Sequence, residues 1–155
     1  MKIYRVTKAV YAQTAFRGSA GRGRWHRLGT PMLYCADAPA TALVETLAYA
    51  DRAELIQVPF VVFEISLDPG RHVLRLPADL LPSDWQAWPW PTSTQEIGTH
   101  WFVSQKSVVL EVPCAVVPWH RNYLINVHHP DFGELQIEGP KDFPIDPRLI
   151  RHGSP

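Results

Sequence analysis

Gly29-Thr30-Pro31-Met32-Leu33-Tyr34-Cys35-Ala36-Asp37-Ala38-Pro39-Ala40-Thr41-Ala42-Leu43-Val44-Glu45 is the stretch on which the organisation of the chain turns. Met32 to Ala36 is a short apolar run behind a turn, which reads as a buried strand. Asp37 reads as an N-cap, with Pro39 in the first helical turn. Good helix formers from Thr41 to about Ala50 follow, with Leu43, Leu47 and Ala50 along one face. A strand that turns directly into a helix brings helical side chains back over the strand end. Glu45 is therefore expected to face the same cleft as Tyr34. On composition alone it would be an ordinary exposed helix glutamate.

Outward from this unit, Ile3 to Thr7 reads as a short strand and residues 11–31 as a Gly- and Arg-rich loop, densest over 17–29. Phe60 to Leu67 is the strongest strand pattern. Asp68-Pro69-Gly70 reads as a turn, and His72 to Leu76 as a second strand. Residues 77–92 hold four prolines and three tryptophans, a composition for a stiff loop, not an element interior. Ser93-x-x-Glu96 has the form of a capping box opening a helix to about Gln105. Ser107 to Val112 and Tyr123 to Val127 read as strands, Cys114 to Val117 as a short apolar stretch, and the tail from Gly139 as irregular. Strands outnumber helices without alternating with them, which predicts an α+β single domain over residues 1–155.

The chain has 155 residues, 46% hydrophobic and 19% charged, and so can bury a core. No apolar run reaches the length of a membrane span, and the N-terminus lacks a signal-peptide pattern. Cys35 and Cys114 lie far apart and are expected to be reduced thiols in a cytoplasmic protein. Net charge is zero, but residues 1–36 carry seven basic side chains and no acid. The remainder holds eight basic and fifteen acidic groups. That balance argues against a broad nucleic-acid surface and for one confined anion site.

Three groups of residues have chemical potential. In Gly21-Arg22-Gly23-Arg24-Trp25-His26-Arg27, the glycines would let backbone approach a ligand and the arginines would grip phosphate. Trp25 or a nearby tyrosine would stack on a ring. The plainer reading is a solvated basic loop. Glu45 is the second group. The third is Asn122 to Phe132, with His128 and His129; adjacent strand histidines point to opposite faces, and no zinc spacing is present, so no metal is expected. A Cys–His hydrolase built on Cys114 with His120 or His129 is a further reading, though Cys114 sits in an apolar run where thiols are usually inert. The tryptophans of residues 82–92 would either pack on the domain or meet a second subunit or partner.

Together these residues resemble the RES-domain family, the toxin half of bacterial toxin–antitoxin pairs. The resemblance rests on Ile3-Tyr4-Arg5, Arg22 to His26, Gly29 to Tyr34, Ala36 to Glu45, Gly98-Thr99-His100-Trp101, Val112-Pro113 and Asn122 to Phe132, in that order and across nearly the whole chain. The chain departs from the family pattern at Arg22 (glycine in the family), His26 (asparagine), Val127 (proline) and Cys114, where the family has the serine of its name. A thiol is the weaker hydrogen-bonding partner.

The resemblance implies a fold related to ADP-ribosyltransferases, with mixed β-sheet and a few flanking helices. It implies NAD as substrate, cleaved at the nicotinamide–ribose bond by phosphorolysis or hydrolysis, with inorganic phosphate as a co-substrate and no resident cofactor. The alternative is transfer of ADP-ribose to a protein; a binding module for nucleic acid is the rival from another class. A cognate antitoxin with a helix-turn-helix domain is the implied partner, alongside a possible homodimer. Arg24 is expected to anchor phosphate or ribose, supported by Arg5 or Arg27. Tyr34 would stack on or hydrogen-bond the nicotinamide ribose, and Glu45 would orient a ribose hydroxyl and favour the growing cation. Gly23, Trp25, Cys114, Asn126 and His129 complete the expected substrate contacts.

Overall fold

The computed structural model describes residues 1–18, 21–50, 55 and 57–150. Ser19 and Ala20 of the arginine loop, and the last five residues of the expected domain, lie outside the described residues. The strands are β1 (Lys2–Lys8), β2 (Met32–Ala36), β3 (Phe60–Ser66), β4 (Val73–Arg75), β5 (Val109–Pro113), β6 (Arg121–Asn126) and β7 (Gln136–Asp142). The helices with described bounds include α1 (Pro39–Tyr49), the single turn α2 (Pro69–His72) and α3 (Thr92–Ser104). One seven-stranded sheet runs in the order β4-β5-β6-β2-β1-β3-β7. Only β4 and β5 pair in parallel. The fold is α+β, as the strand-heavy pattern predicts.

Period-two alternation sorts the side chains into two layers. Ile3, Leu33, Cys35, Phe63, Ile65, Val109, Tyr123 and Ile125 form the core on one face. On the other, Met32, Leu110, Val112 and Leu124 pack with Trp25, Trp101 and Phe102. That second layer is closed by α3, and Gly98 explains how closely it sits. A Cβ on Gly98 would lie 1.8 Å from the Trp25 carbonyl oxygen, so no side chain fits where α3 crosses the arginine loop.

The sheet is nearly two sheets. β1 faces β3 along its whole length, Lys2 opposite Ser66 through to Lys8 opposite Phe60. β2 pairs with β6 from Met32–Asn126 to Ala36–Asn122. Between β1 and β2 the only registered pair is Tyr4 with Ala36. Beyond that rung the two strands part, and the guanidinium of Arg5 occupies the seam. Its Nε donates to the Ala15 carbonyl at 3.0 Å and its terminal nitrogen to the Tyr34 carbonyl at 3.0 Å. The side chain thus satisfies a β2 carbonyl that a continuous ladder would have used.

Three local expectations are corrected. Asp37 does not cap α1: the N-cap is Ala38, with no side-chain cap. The Asp37 carboxylate instead accepts from the Thr41 hydroxyl (2.8 Å), the Arg121 backbone N–H (3.0 Å) and His120 Nδ1 (3.0 Å), tying the start of α1 to β6. Burial opposes ionisation of Asp37, but these hydrogen bonds outweigh it and hold the carboxyl below its usual range. The Ser93/Glu96 capping box does not form either. α3 starts after Pro91, Ser93 donates to Asp84, and Glu96 pairs with Arg27. Finally, the irregular tail begins later than Gly139, because Gly139 to Asp142 belong to β7 and, among the described residues that follow, only 143–146 are without regular structure. Every β7 side chain is exposed, so no apolar alternation marks it.

Gly98→Ala is expected to lower unfolding free energy by about 1–3 kcal/mol in urea denaturation, the usual cost of overpacking. An unchanged midpoint would show that α3 is free to move off Trp25.

Candidate active site

A cleft of about 540 Å³ opens along the seam, between the sheet and α1. Tyr4, Arg5, Tyr34 and Ala36 line it from β1 and β2, Gly23 and Arg24 from the arginine loop, and Glu45 and Tyr49 from α1. The strand–helix unit thus does bring Glu45, Tyr34 and the arginine loop to one place.

Glu45 is held on one oxygen. Asn122 Nδ2 donates to Oε1 at 2.6 Å, and the Cys114 thiol donates to the same Oε1 at 3.1 Å. Both donors come from the β5–β6 hairpin, which fixes the carboxylate and leaves Oε2 as the oxygen for a ligand. Burial pushes the Cys114 thiol up to about 11, and the Glu45 hydrogen bond adds to the effect. Cys114 is therefore a neutral donor, not a nucleophile. His120, its suggested partner in a Cys–His pair, binds Asp37 and Thr41 instead, and His129 binds the Gln105 carbonyl.

Arg5 and Arg24 supply positive charge. Burial pulls the Arg5 pKa down, yet a guanidinium stays protonated at neutral pH. Arg24 is 8% exposed. One of its terminal nitrogens donates to the Trp85 and Ala87 carbonyls, at 2.5 and 3.0 Å, and its Nε is buried without an acceptor among the described residues. So Arg24 also pins the Trp/Pro loop to the cleft. Among the described residues neither Arg5 nor Arg24 takes part in an ion pair. Two guanidinium groups, Arg24 buried and Arg5 half-buried, without a carboxylate partner among the described residues make a seat for an anion.

Tyr34 shapes the loop more than it offers its hydroxyl to the cleft. Its oxygen accepts from the Trp25 N–H at 3.1 Å and lies 2.7 Å from His26 Nδ1. Burial pushes the phenol above its usual range and lowers the pKa of His26, although the Gly21 backbone opposes the latter. His26 Nδ1 and the Tyr34 hydroxyl thus share one short hydrogen bond between neutral groups. A Cβ on Gly23 would meet His26 Cε1 at 2.8 Å and the Tyr34 oxygen at 2.9 Å, so glycine is required at this crossing.

Three expected contacts, Arg27, Asn126 and His129, sit elsewhere, and Trp25 lines the cleft without offering the face of its ring. Trp25 is 1% exposed and packed in the core, so its indole cannot stack on a ligand. Arg27 lies outside the cleft, paired with Glu96 at 2.5 Å. Asn126 shares a sheet face with Asn122 but sits four residues along β6, where its amide donates to the Phe102 carbonyl and its oxygen accepts from the His128 N–H. His129 caps a neighbouring turn by accepting from the Asp131 N–H. Asn122 is the contact that sequence reasoning missed. Its signal was its place at the start of the Asn122 to Phe132 stretch, level with Ala36 across the sheet. Among the described residues no three His, Cys, Asp or Glu side chains converge as a metal site, and no helix is long and apolar enough to cross a membrane.

The family model of the RES domain matches residues 2–146. This chain belongs to the RES-domain family. It is 36% identical over 155 residues to a protein named Toxin Res from Photorhabdus laumondii, covering 97% of this chain and 98% of that one. It is 31% identical over 134 residues to a Sphingobium protein named Prs ADP-ribosylating toxin, covering 83% and 81%. In fold it is similar to a chain in the M. tuberculosis MbcT–MbcA toxin–antitoxin complex, with a TM-score of 0.70 at 22% identity, covering 96% of this chain and 86% of that chain. For a RES domain, the seam cleft and Glu45 are the parts of this chain with both enclosure and charge.

The lowered pKa of His26 makes stability depend on pH in a defined direction. Above about 6.5, the ordinary histidine value, the ring is neutral in both states and the contribution is complete. It is lost as pH falls through that value towards the lower folded one. Urea unfolding from pH 7.5 to 5.5 should show wild type losing more stability than His26→Asn; parallel curves would remove His26 as the cause.

Proposed function

We propose that this chain is a toxin that binds NAD in the seam cleft and breaks the bond between nicotinamide and ribose, by phosphorolysis or hydrolysis. A cognate antitoxin, with a helix-turn-helix domain, would hold it in check. The observation that carries the reading is the pairing, in one cleft, of one fixed carboxylate with two guanidinium groups, Arg24 buried and Arg5 half-buried, that have no acid partner among the described residues.

The chemistry asks for little else. The nicotinamide ring nitrogen of NAD is already positive, so it departs neutral with the bonding electron pair and needs no general acid. Positive charge grows on the ribose as that bond lengthens, and Glu45, through Oε2, faces that charge. Arg5 and Arg24 neutralise the pyrophosphate, and Tyr34 forms the floor beneath the ribose. A phosphate or water oxygen then bonds to the anomeric carbon and gives up its proton to solvent. Asn122 and Cys114 act through Glu45, as positioning residues.

Transfer of ADP-ribose to a protein acceptor is the second reading, favoured by the name of the Sphingobium relative. It uses the same cleavage with a protein side chain in place of phosphate. The zero net charge of the chain weighs against the nucleic-acid module, which would need a broad basic surface.

Incubation with NAD, with and without phosphate, and mass spectrometry of the products tests this reading. Free nicotinamide is expected, with a phosphorylated ADP-ribose appearing only when phosphate is present. Glu45→Gln should slow release by on the order of a hundredfold. Arg24→Ala should slow it about tenfold to a few hundredfold, the worth of a charge-assisted contact. Cys114→Ser should raise the rate. Undiminished release by both Glu45→Gln and Arg24→Ala would refute the assignment, and label from NAD on a protein band would select the second reading.

A further inference from the structure

The Trp/Pro loop is not used by the bond-breaking chemistry, yet it reaches the cleft. Arg24 fixes it there through the Trp85 and Ala87 carbonyls. Immediately downstream, Trp88 and Trp90 meet Tyr49 from the last turn of α1. Ring centroids are 5.1 Å apart for Trp88–Trp90, 6.0 Å for Tyr49–Trp90 and 6.2 Å for Tyr49–Trp88. Trp90 and Tyr49 line the cleft. Trp88 is 69% exposed and Tyr49 50%, an unusual concentration of aromatic surface. Trp90 Nε1 is buried with no acceptor among the described residues, a donor that a ligand oxygen or ring nitrogen would satisfy.

The cleft also has a polarity. At one end Glu45 is enclosed by Cys114 and Asn122, both buried, level with the Tyr4–Ala36 rung. Along β1 the walls continue to Lys8, four residues and about 13 Å beyond Tyr4. There Lys8 lies opposite Phe60, and both line the cleft. Tyr49 stands one helical turn past Glu45 on the same face of α1. One end is thus enclosed and acidic, the other open and aromatic.

Resting on the reading that the cleft takes NAD, we propose that the open end is a subsite for the adenylate half of the dinucleotide. The base stacks on the aromatic rim made by Tyr49, Trp88 and Trp90, beyond the pyrophosphate held by Arg5 and Arg24, so that the cleft selects a dinucleotide over a mononucleotide. The reacting ribose needs exclusion of water and so belongs at the enclosed end. The adenine undergoes no chemistry and can remain at an open rim. Its flat face suits aromatic side chains, which bind bases without needing specific hydrogen bonds.

The two halves of NAD can be tested separately by tryptophan fluorescence titration with ADP and with nicotinamide mononucleotide. Tyr49→Ala and Trp88→Ala, both at exposed positions, are compared with wild type. The expected result is a loss of ADP affinity of about tenfold or more in each variant, within the range of base–aromatic stacking. Nicotinamide mononucleotide affinity should change less than about twofold, well below the energy of one stack. Equal weakening of both ligands, or unchanged ADP binding, would overturn the subsite. A wild type that binds ADP in this way but releases no nicotinamide from NAD would refute the proposed function and leave the subsite standing.

Discussion

The Arg5 guanidinium in the seam between β1 and β2 is the constraint from which the rest follows. A sheet that stays paired leaves no room for a ligand among its strands. This one pairs at Tyr4–Ala36 and then opens. The Tyr34 carbonyl exposed by the opening would be costly to leave unmet, and Arg5 meets it. The same side chain bonds the Ala15 carbonyl, which brings the turn after β1 against the gap. Holding the sheet open and charging the opening are one act, performed by one residue.

Charge then organises the cleft. Arg24 repeats the arrangement from the loop side, spending one nitrogen on loop carbonyls while its charge remains unmatched by any acid among the described residues. Glu45 is kept apart from both, tied by Asn122 and Cys114 on one oxygen. Had the carboxylate paired with either arginine, one of the two positive charges and the one negative charge would be spent within the protein. Separation preserves an attraction for a ligand that is anionic in one part and becomes cationic in another. The replacement of the family's serine by Cys114 keeps the donor but weakens it, because a thiol hydrogen bond is softer than a hydroxyl one.

Much of this was legible in the sequence. The Met32 to Ala36 strand matches residue for residue, and the strand-to-helix turn correctly brings Glu45 over Tyr34. What failed has physical reasons. Trp25 read as a stacking surface because a Gly/Arg loop is usually solvated; only the close approach allowed by Gly98 buries it. Arg27 was indistinguishable from Arg24 until Glu96, on a distant helix, claimed it. Asn126 and Asn122 sit on the same face of one strand, and only α1 crossing near Ala36 decides that Asn122 is the one beside Glu45. β7 carries no apolar alternation, so its pairing with β3 left no mark on the sequence.

The central claim is that Arg5 and Arg24, without a counter-charge among the described residues, bind one from solution. Thermal melting of the wild type in increasing ADP-ribose, a pyrophosphate-bearing fragment that cannot lose nicotinamide, tests it most directly. The account predicts a melting temperature that climbs steadily with the logarithm of ligand concentration, reaching the equivalent of about 2.7 kcal/mol at a hundred times Kd. A melting temperature unmoved at millimolar ligand would contradict it.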